Sequence, residues 1–366
     1  AGHPRRGGCR AGAGGRPMKI APGRRRFLRL SAAGLMLPAA ARAGGFTVTD
    51  MAGRTIRFPR APRRVATVGG VPAMDSFLFA LGAGERVVNG LPAFARGPRW
   101  ADHLRFAPQM ADQPATQGSG GVPALETLLT LRPDVVFTMM PHALEPMARA
   151  GLPVVYLSWK EAQARPWASI RSSMRLMGQT LGRQAAARDW LDWAEALFAE
   201  VRSRLPDERP SVLFVNLQSL SQQFRVVNQW IEAAGGRSVT ADQPHHHDHL
   251  SLSIEQILAW DPEVLLLWSE ADRRRLADDP RFARLRAVRT GRVHVAPSIA
   301  HPWASWTAEH PLMVLWAAQR LHPSRFSADE VLETTEAYYR RFCDVAFTRA
   351  ELRDRLYLPA KEDNHA

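Results

Sequence analysis

Apolar positions recur at three- and four-residue steps between Arg183 and Leu205, where Trp190, Ala194, Leu197, Val201 and Leu205 draw one stripe. Alanine and long unbranched side chains fill the other positions, and no proline or glycine interrupts them. The stretch therefore predicts a helix that Pro206 ends. At 1.5 Å per residue it makes a rod of roughly 34 Å. A second pattern repeats on either side of it. Leu125-Glu126-Thr-Leu-Leu-Thr-Leu-Arg-Pro133-Asp-Val-Val before the rod aligns without a gap with Ile254-Glu255-Gln-Ile-Leu-Ala-Trp-Asp-Pro262-Glu-Val-Leu after it. Each copy reads as a short helix, a proline turn and a buried strand. Two copies flanking one long helix predict two similar lobes on a rigid spine.

The remaining pattern fits that plan. Phe46 to Phe58 alternates around an Asp-Met-Ala-Gly turn and predicts a small hairpin. Strands are expected at Val65–Val68, Val87–Val88, Val135–Met139 and Val154–Leu157, with a helix over Met74–Leu81 closed by Gly82. Gly90 to Gly121, rich in Pro, Gly and Gln, reads as irregular. After the rod come strands at Ser211–Asn216, Val264–Trp268 and Val293–Ala296, and helices at Asn228–Ala234, Ile254–Trp260, Pro311–Leu321 and Asp329–Phe342. Strands alternating with helices at this spacing define an α/β chain with mainly parallel sheets.

Charge alters the picture in one place. The chain of 366 residues carries a formal net charge of +13, but residues 1–43 hold ten Arg or Lys and no acid, leaving 38 basic against 35 acidic groups beyond them. No basic surface for nucleic acid follows. Arg24-Arg25-Arg26-Phe27-Leu28-Arg29, an uncharged run from Leu30 and the Ala41-Arg42-Ala43 site form an export signal similar to the twin-arginine type, with Met18 as a plausible start. The expected product is periplasmic, cleaved near Ala43, with no cysteine at that site to carry a lipid anchor. Cys9 would be lost with the signal, and Cys343 reads as a packed helix residue. The expected organisation is 1–43 extension and signal, 44–178 first α/β lobe, 179–206 linking helix and 207–366 second α/β lobe.

Asp50-Met-Ala-Gly-Arg-Thr-Ile, Pro62-Arg-Arg-Val-Ala, Ala80-Leu-Gly-Ala-Gly-Glu-Arg-Val-Val, the two Glu-helix-Pro repeats and Gly291-Arg-Val-His-Val-Ala-Pro follow one another over some 300 residues. In this order the chain resembles the periplasmic substrate-binding proteins of iron-siderophore, haem and cobalamin ABC importers. The resemblance implies two Rossmann-like lobes joined by one long α-helix, a ligand cleft between them and a monomer that serves a permease dimer in the inner membrane. It also implies that Glu126 and Glu255 match the glutamates that meet permease arginines. An acid in the first turn of a helix is also what the helix dipole favours, and Ser253 with Gln256 reads as a capping box around Glu255.

Residues at strand ends supply the candidate cleft. His142 and Trp159 stand there in the first lobe, and Gln218, Arg225 and Trp268 in the second, with the segment His301-Pro-Trp303-Ala-Ser-Trp306. Aromatic rings offer flat walls to a bulky chelate, and Arg225 suits its carboxylates. Within Pro244-His-His-His-Asp-His249, the alternate residues His247 and His249 are the pair that can share a metal. The expected ligand is a ferric siderophore or related metal chelate, with no intrinsic cofactor; cobalamin, haem, a simple metal or an oxyanion are alternatives. An exported metallohydrolase on the His245–His249 cluster is the rival from another class, but no His-Glu-x-x-His motif supports it.

Overall fold

In the first lobe, β1 (Phe46–Thr49) and β2 (Thr55–Phe58) pair antiparallel. Asp50 closes their turn by accepting the N–H groups of Ala52 and Arg54 at 3.0 and 2.9 Å. This computed structural model describes residues 45–69, 71–243 and 249–358, apart from the side chains at 98, 119, 159 and 224. The export segment, Cys9 and His247 lie outside the described residues. β3 (Val65–Val68) is buried along its length and leads through α1 (Ala73–Ala80), α2 (His103–Phe106) and α3 (Leu125–Leu131) to β4 (Val135–Thr138). Then come α4 (Pro141–Arg149), β5 (Val154–Tyr156), α5 (Trp159–Ala164) and α6 (Pro166–Leu181). The sheet runs in the order β3-β4-β5, all parallel. Val87–Val88 makes no strand and contributes a single bridge from Val87 to Val65. The reason is local: the side chain of Asn89 takes the Thr67 N–H at 2.9 Å, where a continuing strand would have offered a carbonyl.

The spine is α7 (Gln184–Arg204), which buries Ala187, Trp190, Leu191, Ala194, Leu197, Phe198 and Val201 on one side. It packs closely on α6 because Gly178 has no side chain; a Cβ there would stand 2.6 Å from that of Ala187. The second lobe contains β6 (Ser211–Val215), β7 (Ser221–Gln223), α8 (Phe224–Ala233), β8 (Arg237–Ser238) and β9 (His249–Ser251). It continues with α9 (Ile254–Trp260), β10 (Val264–Leu267), α10 (Glu270–Asp278), α11 (Arg286–Arg289) and β11 (Val293–Val295). α12 (His310–Leu321), α13 (Ala328–Cys343) and α14 (Arg349–Arg355) complete it. Its sheet runs β11-β10-β6-β8, all parallel, beside an antiparallel β7–β9 ribbon.

The repeated motif has one physical form in both lobes. α3 and α9 end in left-handed residues, Arg132 (φ 47°) and Asp261 (φ 38°), immediately before a proline that disfavours helix at the preceding residue. The acid after each proline then latches the start of the neighbouring strand. Asp134 accepts the N–H groups of Arg63 and Arg64 at 2.8 and 3.0 Å, and Glu263 accepts that of Ser211 at 2.8 Å. A single hydrophobic cluster runs from Phe77 in the first lobe through Trp190 on the spine to Phe214 and Trp316 in the second. Apolar burial of that continuity disfavours independent motion of the lobes.

Candidate ligand site

Residues beyond the carboxyl ends of strands in both lobes line one cavity of about 200 Å³: Val71 after β3, Asn216 after β6 and Trp268 after β10. This is where open parallel sheets leave room for ligands, because the connecting loops diverge there. Trp100, Phe214 and Trp268 give it aromatic walls, with the Phe214 and Trp268 rings edge to face at 6.2 Å.

Trp100 comes from the segment read as irregular. Short helical turns and α2 carry that segment across to the second lobe. His103 places Nδ1 2.6 Å from the carbonyl of Ala300 and Nε2 3.1 Å from Asp75, whose other oxygen accepts the Thr67 hydroxyl at 2.8 Å. Asp102 pairs with Arg355 at 2.8 Å, and Arg105 with Glu351 at 2.7 Å. The segment thus ties the lobes together on the α14 side.

His301 is held in the cavity wall by Glu309, a fully buried carboxylate at the start of α12. Glu309 accepts the N–H groups of Ala300 and His301 at 3.1 and 2.9 Å, the indole N–H of Trp303 at 2.9 Å and the Tyr339 hydroxyl. Burial pushes its pKa up to about 7 against the pull of those four donors. His301 itself is 1% exposed, and burial lowers its pKa to about 3, so the ring is neutral at working pH. Its Nδ1 lies 3.2 Å from the carbonyl of Pro302, which can only accept, so the hydrogen sits on Nδ1. Nε2 is left with a lone pair and no partner.

The ribbon adds more acceptors. The amide nitrogen of Gln222 is committed to Thr240 and Asn228 at 2.8 and 3.2 Å, which leaves its Oε1 buried and unpartnered. Gln223 Oε1 is likewise unpartnered, and Gln223 pairs in register with His249. The unpartnered buried polar atoms of this wall therefore accept: His301 Nε2, Gln222 Oε1 and Gln223 Oε1. Such a wall suits a metal centre or a donor-bearing ligand.

Of the residues expected from sequence, His249 and Trp268 line this cavity. None of the other expected residues whose side chains are described lines it. Trp303 is fully buried in the core, its indole N–H taken by Glu309. Trp306 is 6% exposed and packs on Phe77 at 4.6 Å. From the same segment it is His301 and Ser305 that face the cavity. Gln218 bonds the Ala271 carbonyl at 3.0 Å on an outer groove beside α10, and Arg225 lines a different groove with Trp167 and Gln229. His142 is exposed in the first turn of α4, and the side chain of Trp159 lies outside the described set. Glu126 and Glu255 are exposed in the first turns of α3 and α9. Trp100, Phe214, Gln222 and Gln223 escaped the sequence reading. Phe214 sits in a strand whose apolar run signals core, Gln222 and Gln223 form a three-residue polar strand with no apolar pattern to mark it, and Trp100 sits in a stretch without periodicity.

Two α/β lobes on one long helix, with a cavity at the strand ends between them, define a two-lobe solute-binding protein. The chain belongs to the periplasmic binding protein family, whose model matches residues 71–300. It is 23% identical over 281 residues to the molybdate-binding protein MolA of Haemophilus influenzae, covering 67% of this chain and 77% of that protein. Solved structures of similar fold include a periplasmic solute binding protein from Veillonella parvula (TM-score 0.71, 21% identity, 86% of this chain and 97% of that one). The molybdate-bound MolA gives a TM-score of 0.70 at 20% identity (83% and 99% covered), and Helicobacter pylori CeuE with Ni(II) bound gives 0.66 at 17% (84% and 99%).

Proposed function

We propose that this protein captures a metal chelate, ferric siderophores being the favoured class, and delivers it to an ABC importer of the inner membrane. The observation that carries this reading is the cavity wall of unpartnered acceptors between aromatic rings. A neutral His301 Nε2 can complete the coordination of a metal whose chelator leaves a position open, and His249 stands at the same cavity. A bare oxyanion such as the molybdate that MolA binds would find donors here in the Asn216 amide and the Ser305 hydroxyl, but would leave the unpartnered acceptors His301 Nε2, Gln222 Oε1 and Gln223 Oε1 unmet. A cavity of about 200 Å³ takes the metal-bearing head of a chelate, with the rest of the molecule lying toward its open side. On this reading the protein is a carrier rather than an enzyme, exported by the twin-arginine route and working as a monomer.

Delivery falls to Glu126 and Glu255, which occupy equivalent places in the two copies of the repeat. Rim carboxylates set encounter and register with a partner's cations rather than ligand affinity. Glu126→Ala with Glu255→Ala is expected to bind the chelate normally yet fail to support uptake by the reconstituted transporter, each single change giving a partial loss. Normal uptake by the double variant at physiological salt would remove the docking role.

A further inference from the structure

Trp268, which lines the cleft, carries the Arg99 guanidinium on its ring, 4.4 Å from the centroid. Arg99 also lines a separate cavity of about 700 Å³ bounded by Ser298, Tyr357 and Arg355. Its backbone is fixed by the Ser298 hydroxyl, which donates to the Arg99 carbonyl at 2.8 Å. Nε and Nη2 are buried and have no hydrogen-bond partner. These two nitrogens form the edge of the fork that takes a carboxylate or oxyanion side-on.

The acids around this cavity are engaged elsewhere. Asp102 pairs with Arg355, and Glu270 lies 3.7 Å from Arg273. Asp272 attracts Arg99 through space, but its oxygens hold the Ser269 hydroxyl at 2.8 Å and the Gln218 N–H at 3.0 Å. Asp354 is exposed at the rim. The inner end of the cavity is therefore cationic and the outer edge acidic, an arrangement that admits a small anion and repels a large polyanion. A buried cation with no hydrogen-bonded counter-ion is unfavourable, and burial lowers the Arg99 pKa to about 10 against the through-space pull of Tyr357 and Asp272.

We propose that this cavity is a second ligand site, distinct from the cleft, which binds a small carboxylate or tetrahedral oxyanion on the Nε–Nη2 edge of Arg99. An anion there neutralises the charge resting on Trp268, so occupancy should change the emission of that indole.

The test titrates acetate, sulfate, phosphate and molybdate separately into the full chain at constant ionic strength, following tryptophan emission and thermal midpoint. At least one anion should saturate, and whether acetate or a tetrahedral anion does so at lower concentration identifies the source class. Arg99→Met should weaken that binding at least ten-fold, while Arg99→Lys, which keeps the charge without the fork, should retain part of it. Trp268→Phe should lose the emission change and keep the thermal shift. No saturation by any of the four anions in the unmodified chain would overturn the proposal, whatever the variants do. So would saturation unchanged by Arg99→Met.

Discussion

Glu309 is the residue on which the cavity wall depends, and it is also the group whose titration can be followed. Its carboxyl is raised from 4.5 to about 7 by burial, so the folded state holds that proton more tightly than the unfolded chain. The stabilisation is complete below pH 4.5 and is lost as pH rises through 7. Buried His301 and His310 act oppositely: both are lowered to about 3, so they cost stability as pH falls below 6.5. Comparison with Glu309→Gln removes the histidine contribution, which the two chains share. Denaturant unfolding from pH 4.5 to 7 is expected to show the unmodified chain losing up to roughly 3 kcal/mol relative to the variant as pH rises. A difference that does not vary with pH would mean that Glu309 stays ionised throughout. The same residue explains a feature hidden from sequence. Trp303 and Trp306 look like cleft walls in a loop rich in proline, yet Glu309 draws the Trp303 indole inward and leaves His301 at the surface of the cavity.

At the scale of elements, the repeated helix-proline-strand unit was legible because its two ends are set by local chemistry. A proline forces the preceding residue out of the helix, and a buried strand follows as an unbroken apolar run. The latch made by Asp134 and Glu263 was not legible, since its partners lie some 50 to 70 positions away in the chain. Asp134→Ala and Glu263→Ala each unpair strand-start N–H groups, and each should cost about 1–2 kcal/mol in equilibrium unfolding. A cost near zero for both would show that water replaces the carboxylate without loss. The segment from Trp100 to Phe106 was read as irregular because it lacks period. Its order comes from partners in the other lobe, such as Arg355 and Ala300. By contrast, the helical stretch read from Arg183 to Leu205 lies within one residue of α7 at each end, because alanine content and an apolar stripe act within the helix itself. The wider 179–206 expected for the linker also takes in the last residues of α6.

For the whole molecule, the lobes share one core along the spine and are tied again by Asp102–Arg355 and Arg105–Glu351. A cleft bridged on two sides changes little on binding, so its chemistry in this structure is the chemistry the ligand meets. The central claim is that this chemistry completes a metal's coordination through His301. Titration of the ligand-free protein with the ferric complex of a tetradentate catechol, beside the ferric complex of a hexadentate one, tests it most directly. The tetradentate complex should bind at least ten-fold more tightly, about 1.4 kcal/mol, and His301→Ala should erase that preference. Equal affinity for the two complexes, a preference that survives His301→Ala, or tighter binding of molybdate than of either that persists in Arg99→Met would contradict it.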